Sequence, residues 1–353
     1  MKKSIACSAP YGSGGLGLHF TQLVEDARSG NHLGDYYSPR IKLNDSKGHI
    51  VTSKLTDYLR YTPFRESPGW MNYLNGELFD RAVAAAMLPT DSFQGFGGQS
   101  LHSFKRARKQ GCRSLSLLAA NSHVNNVHRK HQEAIQEFGI EASWLNDWQR
   151  RKTLKEYEMA DTIEIASEYT RESFLEQGVP SSKLSKKVFD ISSRFIPEEL
   201  EDDGTFRIVY TGSLTVMKGI PILLEAFSRL PGKNAQLILI GGWATRGMRR
   251  YVESWIAKDD RIRLAPGDPL PHLQKANVYV HPTYEDGFAY APMEALTCGV
   301  PVIVTEDTGM KEHINVGVNG QIVPTGDWQA ILDCLLSYQN IGLKRVALEG
   351  TIV

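Results

Sequence analysis

Arg207-Ile208-Val209-Tyr210-Thr211-Gly212-Ser213-Leu214-Thr215-Val216-Met217-Lys218-Gly219-Ile220-Pro221 is the stretch on which the fold reading turns. Residues 207–210 form a short β-branched and aromatic run of the kind that makes a buried strand, and the apolar positions of 222–230 recur at helical spacing. Between them lies a turn with glycines at 212 and 219, so the segment reads as strand, glycine turn, helix. Such a turn aims backbone N–H groups and the positive end of a helix at one point, where an anion is stabilised, and Lys218 adds a full charge. The same residues also fit a tight turn with a solvated lysine. The stretch alone leaves both readings open.

Working outward, similar strand runs fall at 4–7, 115–118, 162–165, 236–240, 278–280 and 300–304, with helical patterns at 248–257 and 293–297 between the later ones. Strands that alternate with helices make parallel sheets covered on both faces, the doubly wound α/β class. At 353 residues the chain has length for two domains with separate cores. Residues 192–205 hold Pro197, an acidic run and Gly204, the composition of an exposed linker. The expected domains are therefore 1–197 and 205–336, with 337–353 a terminal helix or tail that packs back on the first domain. Residues 31–75, rich in Tyr, Pro, Gly and Asn, are expected to form long loops and short strands, and in a transferase such loops often meet the acceptor.

Composition narrows the function. Forty Lys and Arg balance forty Asp and Glu, so the surplus of positive charge that binds nucleic acid through counterion release is absent. No run of about 18 apolar residues reads as a membrane span. The start MKKSIACSAPYGSGG lacks a signal-peptide core, and the scattered Cys7, Cys112, Cys298 and Cys334 read as reduced thiols, which together lead to the expectation of a cytoplasmic protein. Basic clusters at 105–109, 128–131 and 150–152 read first as solvated helix faces and second as a face for peripheral contact with the inner side of a membrane.

A second chemical signal follows the strand at 278–280. It reads Pro282-Thr283-Tyr284-Glu285-Asp286-Gly287-Phe288-Ala289-Tyr290-Ala291-Pro292-Met293-Glu294-Ala295-Leu296, then Cys298-Gly299-Val300-Pro301. A turn through 287–290 with a helix starting near Pro292 lets Asp286 and Glu294 flank the crevice at the carboxyl edge of a sheet, one for sugar hydroxyls and one for a ribose. Singly, each carboxylate is more often a solvated or dipole-compensating charge.

Together these motifs resemble glycosyltransferase family 4, the retaining transferases of GT-B fold. The likeness covers the Gly212 to Gly219 turn, the Asp286 to Glu294 spacing, Ala295, Cys298-Gly299-Val300-Pro301 and Asn319-Gly320-Gln321-Ile322-Val323-Pro324. Weaker matches precede it: Gly14-Gly15-Leu16-Gly17-Leu18-His19 is similar to the family's glycine-rich loop, Asn121-Ser122-His123 to a segment whose histidine reaches the reacting sugar, and 161–179 to a strand and helix that end the first domain. The resemblance implies a GT-B architecture, two Rossmann-like doubly wound domains facing a central cleft. It implies transfer of a sugar from a nucleotide diphosphate sugar to a glycan, lipid or small-molecule hydroxyl, with retention and with neither metal nor further cofactor. Its catalytic residues would be His123, Lys218 and Asp286. The donor would be held by Gly14, Gly15, Gly212, Ser213, Lys218, Gly287, Phe288, Ala289 and Glu294, and the backbone amides of the glycines and of Ser213 would serve the diphosphate.

The chain departs from the pattern at two places. The arginine usual beside Lys218 is replaced by Ser213 and Met217, and the first acid of the pair is Asp286 rather than Glu, with Glu285 next to it. Arg246, Arg249, Arg250 and Lys311 are the candidate compensating cations. The Asp pairs 202–203 and 259–260 lie in polar loops rather than at a strand end, where a metal would be expected. A non-catalytic nucleotide-sugar-binding homologue that acts through a partner is the chief alternative. A dehydrogenase fits poorly, because Gly12-Ser13-Gly14-Gly15 does not match G-x-G-x-x-G. A nucleotide-sugar epimerase shares the fold.

Overall fold

The computed structural model describes residues 1–52, 58, 61–62, 66–199 and 203–341. The chain divides into two compact units. One comprises 1–128 and 142–189, the other 129–141 and 190–353.

The first unit is built on a parallel sheet of seven strands: β1 (Lys3–Ala6), β2 (Leu33–Ser38), β3 (Gly48–Ile50), β4 (Ser92–Phe96), β5 (Ser114–Ala119), β6 (Thr162–Ile165) and β7 (Leu184–Lys186). Their order is β3-β2-β1-β4-β5-β6-β7. Helices Gly14–Ser29, Pro68–Ala86, Leu101–Lys109, Asp147–Met159 and Glu168–Leu175 make the crossovers, and Phe93, Phe104, Leu115, Leu117, Ile163 and Phe174 fill the core. The 31–75 stretch contains β2 and β3, and residues 53–57, 59–60 and 63–65 of it lie outside the described residues.

The second unit repeats the plan with six parallel strands: β8 (Phe206–Thr211), β9 (Ala235–Ile240), β10 (Ile262–Leu264), β11 (Val278–His281), β12 (Val302–Thr305) and β13 (Gly320–Val323). The order is β10-β9-β8-β11-β12-β13. Its inner strands are mainly apolar, as expected when helices cover both faces, and Ile208, Leu237, Val280 and Ile303 are fully buried. In each sheet the order reverses once, between β1 and β4 and between β8 and β11. Ligands of doubly wound sheets bind beyond the carboxyl ends of the strands at such a reversal.

Three expectations need correction. Residues 192–205 are not a wholly exposed linker, because Phe195 is buried and Arg194 forks onto Asp268 at 2.8 and 2.9 Å. The basic clusters are only partly surface. Lys130 pairs with Asp307 at 2.5 Å and His131 is buried, while Lys152 is buried between Glu77 and Asp80 at 2.9 and 2.8 Å. Residues 337–341 are no separate tail but the end of helix Trp328–Ile341, which packs on helix Ile220–Ser228 of the second unit. Residues 342–353 lie outside the described residues.

Candidate functional site

In the second unit, the turn after β8 is held from all sides. Leu214 N–H donates to Gly242 O (2.8 Å), Gly219 N–H to Val216 O (2.9 Å) and Tyr284 N–H to Met217 O (2.9 Å). Val216 N–H donates to the Glu141 carboxylate (2.7 Å), whose other oxygen takes the Thr245 hydroxyl (3.0 Å). Burial pushes the Glu141 carboxyl up and these two donors pull it down; the net shift is upward. Gly219 has φ +68°, and a Cβ there would lie 1.8 Å from Pro282 O, so the helix that follows starts from a point only glycine fits. Gly212 N–H is committed to Ile240 O at 2.9 Å. The Gly212 amide expected to serve a diphosphate is thereby withdrawn, because the strand ladder extends one residue into the turn. Ser213 is exposed.

This scaffold places Lys218 over the end of β11. Its Nζ lies 2.5 Å from Asp286 Oδ2, and the ammonium keeps about a quarter of its side-chain surface in contact with solvent. His281, the last residue of β11, completes a triad with Nε2 3.2 Å from the same oxygen. Burial lowers the His281 pKa, Asp286 opposes that shift and Lys218 adds to it, so the ring is neutral. Neutral imidazole with Nε2–H donating to Asp286 leaves Nδ1 bare, and that atom is buried without a partner. Burial pushes Asp286 up, but Lys218 and His281 outweigh it and hold the carboxyl well below the usual range. Glu285 is buried separately; Asp286 is the acid that holds Lys218. Asp286 is fixed by its backbone, which donates to Asp307 O and accepts from Gly309 N–H.

Gly287, Phe288 and Ala289 form a buried turn into helix Tyr290–Thr297, which begins two residues before the expected Pro292. The Phe288 ring meets Tyr290 and His313 edge-on at 5.6 and 6.2 Å. Glu294 lies one turn into that helix and, like Asp286, acts on the buried phenol of Tyr279. Burial raises the Glu294 pKa to about 7, Arg194 opposes this and Asp268 adds to it. Of the proposed compensating cations, Arg249 is tied to Glu253 at 2.8 Å and lies over Trp243. Arg246 and Arg250 are exposed on the same helix, and Lys311 is half-buried in the turn Gly309–His313. Met217 corrects one further expectation. Its side chain packs in the core, so of the two places where an arginine was missed, only 213 opens to solvent. His281 and Arg194 were not singled out in the sequence. A histidine ending a strand and an arginine in a polar connection carry no local signal, and only tertiary structure brings them to Asp286 and Glu294.

In the first unit, Gly14 and Gly15 open helix Gly14–Ser29, whose Ser13 cap makes no side-chain bond and whose first turn holds no acid. A Cβ at either position would meet nothing within 4 Å, so this helix start is open. His123 is 3% exposed, wedged between Tyr157 and Phe174 at 5.0 Å from each ring. Its Nδ1 accepts from Asn125 N–H (3.2 Å), and burial lowers its pKa to about 4. The structure thus places His123 in the core at the start of helix Val124–Phe138. Glu77, Asp80 and His102 converge closely enough to ligate a metal, but the Lys152 ammonium stands between both carboxylates and supplies the positive charge itself.

Comparison with known proteins finds its similarities mainly in the second unit. Residues 192–346 match the family model described as glycosyl transferases group 1. This similarity to the group 1 glycosyl transferases spans less than half of the chain. The chain is 32% identical over 140 residues to the capsular polysaccharide biosynthesis glycosyltransferase CapM of Staphylococcus aureus, a match spanning 36% of this chain and 35% of CapM. It is 33% identical over 151 residues to O-antigen chain mannosyltransferase B of Escherichia coli, 39% of this chain and 38% of that protein. These matches span little more than a third of the curated relatives' length. Among solved structures, sucrose-phosphate synthase from Thermosynechococcus elongatus is similar with TM-score 0.74 at 19% identity, covering 95% of this chain and 89% of that one. Anabaena HepE, solved in complex with UDP-glucose, is similar with TM-score 0.69 at 15% identity, covering 96% and 89%. The fold of the chain is therefore the GT-B class, with two Rossmann-like units.

Proposed function

We propose that the chain is a retaining glycosyltransferase that moves a sugar from a nucleotide diphosphate sugar to an acceptor hydroxyl without a metal. The observation that carries this reading is the Lys218 ammonium, fixed by Asp286 at 2.5 Å where the strand order of the second sheet reverses. An ammonium has three donors, so Lys218 can keep Asp286 and still bond a leaving diphosphate, stabilising charge as it develops. Asp286 takes sugar hydroxyls with its remaining lone pairs, and Glu294 takes the ribose. No carboxylate stands out as a nucleophile, so attack from the face of departure, with a phosphate oxygen taking the acceptor proton, is the mechanism favoured. The names of CapM, a capsular polysaccharide biosynthesis glycosyltransferase, and of the O-antigen chain mannosyltransferase favour a saccharide acceptor, and the UDP-glucose complex of HepE favours a nucleoside diphosphate sugar as donor.

A screen of nucleotide sugars by thermal shift identifies the donor, because a ligand that binds only the folded state raises its stability. With that donor, Lys218→Ala should lower kcat/KM by about 10²–10³, the scale of one lost transition-state stabiliser. Activity equal to wild type would remove Lys218 from the reaction. The binding-only reading is favoured by one feature, that Lys218 is the sole Lys or Arg in 212–219. It prevails if neither wild type nor Ser213→Arg transfers or hydrolyses any donor that binds. The anomeric configuration of the product tests retention, and activity lost on chelation would overturn metal independence.

A further inference from the structure

The Lys218 ammonium is held by a carboxylate that a third side chain also grips. Among the described residues, Asp286 Oδ2 is the one side-chain partner of Lys218 Nζ, at 2.5 Å, and it lies 3.2 Å from His281 Nε2 as well. Neither donor takes the other oxygen, Oδ1. The two donors come from separate elements, the turn after β8 and the last residue of β11. A carboxylate rotates readily about its last bond and its two oxygens are equivalent, so an ammonium alone does not decide which oxygen holds it. A second donor at a fixed place removes that freedom.

His281 is such a fixed donor. β11 is a central strand, paired with β8 on one side and β12 on the other, and the imidazole at its end is 4% exposed. Tyr279, two residues earlier on the same face, backs the ring with its own, 6.5 Å away and 20° from parallel. The Tyr279 hydroxyl donates in turn to Thr211 O at 3.1 Å, which ties this pair of rings to β8.

The imidazole also adds no charge. Ionised Asp286 can only accept, so Nε2 carries the hydrogen, and Nδ1 is left bare and buried. A proton on Nδ1 would be a buried donor without an acceptor and would set a second cation beside Lys218. Burial and Lys218 oppose that charge more strongly than Asp286 favours it. With Nδ1 sealed off, the ring is placed to orient a neighbour rather than to exchange a proton with a substrate.

Resting on the transferase reading above, we propose that His281 is a positioning residue. Its Nε2–H fixes Oδ2 of Asp286 as the oxygen that holds Lys218, so that the ammonium meets the leaving diphosphate in one place and Oδ1 stays open to a hydroxyl of the donor sugar. His281 acts through Asp286 alone.

Two substitutions separate positioning from packing. Glutamine at 281 supplies an amide N–H in place of the Nε2 donor, whereas methionine fills similar volume with none. Circular dichroism melts check the folding of each variant. With the donor identified by thermal shift, His281→Met should lower kcat by about tenfold and leave donor KM within about threefold, and His281→Gln should restore most of kcat. In an Asp286→Ala background, His281→Met should lower kcat no further, because the residue it acts through is gone.

Two measurements need no turnover. Nitrogen NMR of the isotope-labelled histidines in the full chain at pH 7, with His281 assigned by its loss in His281→Gln, should show a neutral ring protonated at Nε2. UDP and GDP carry the charge that a leaving diphosphate acquires. Calorimetric affinity for the tighter of the two should fall by about fivefold in His281→Met and stay within about twofold in His281→Gln. Equal losses in the two variants, additive losses in the Asp286→Ala background, or a ring protonated at Nδ1 or at both nitrogens would overturn the proposal. Should His281→Met not fold, the tautomer of the wild type and the affinity of His281→Gln decide it. A wild type that transfers nothing, yet shows the tautomer and the diphosphate pattern, sinks the transferase reading and leaves His281 positioning Lys218 toward a bound diphosphate.

Discussion

Asp286 and Glu294 are eight residues apart and carboxylates both, yet their surroundings push them in opposite directions. Asp286 lies against a cation and an imidazole and stays ionised, whereas burial raises Glu294 to about 7. That shift has a definite consequence for stability. Between pH 4.5, the ordinary value, and about 7, the folded chain binds more protons at Glu294 than the unfolded chain does, so stability falls as pH rises through this window. Glu294→Gln removes the burial of charge. The variant should match wild type near pH 4 and exceed it at pH 8 by on the order of 1–3 kcal/mol, read from urea denaturation at the two pH values. Nucleoside diphosphate affinity should move the other way. A ribose needs the ionised carboxylate as acceptor, so wild-type binding should tighten from pH 6 to 8, while Glu294→Gln binds more weakly by about tenfold or more at pH 8 and loses the pH dependence. Equal affinity of the two proteins at pH 8 would take Glu294 out of the site.

At the scale of elements, the turn 212–219 works because segments distant in sequence close it. Glu141 accepts from Val216 N–H and Thr245 Oγ, and Gly219 tucks under Pro282. Removing the Glu141 carboxylate strands a backbone donor inside the unit, which costs about 1–3 kcal/mol. Glu141→Ala should lower stability by that amount and weaken diphosphate binding as the turn loosens. Glu141→Gln keeps one oxygen for Val216 and should retain most of both. If Glu141→Ala binds diphosphate like wild type, the turn does not depend on this support. Gly219→Ala combines left-handed backbone with a clash against backbone oxygen, and should destabilise by about 2–4 kcal/mol in the same denaturation assay.

On the scale of the whole molecule, the second unit is discontinuous in sequence. Residues 129–141 belong to it: Ala134 is part of its core, Tyr284 Oη donates to Glu137 at 2.5 Å and Lys130 pairs with Asp307. A fragment of residues 190–353 lacks these contacts and leaves apolar surface around Ala134 open. It should melt below the full chain by circular dichroism, and a synthetic 129–141 peptide should raise its melting temperature in a dose-dependent way. An unchanged melting temperature with and without the peptide would show that the segment adds nothing to the unit.

The sequence by itself determined the fold class and the position of most of the inner strands. β6 falls on 162–165 as read, and β8, β9 and β11 within one or two residues of their runs, because strands buried on both faces must be apolar and β-branched. β4, Ser-Phe-Gln-Gly-Phe, was not legible, since its Ser92 and Gln94 are buried polar positions that break the apolar pattern. The turn holding Lys218 and the pair Asp286 and Glu294 were legible as motifs. Only the tertiary structure decided what each does: that Gly212 N–H is taken by β9, that Met217 faces the core, that His123 is packed among aromatic rings, and that His281 and Arg194 join the site. Local spacing sets which residues share an element. Which partner a side chain finds depends on where separate elements end, and that is fixed when the sheet closes around its core.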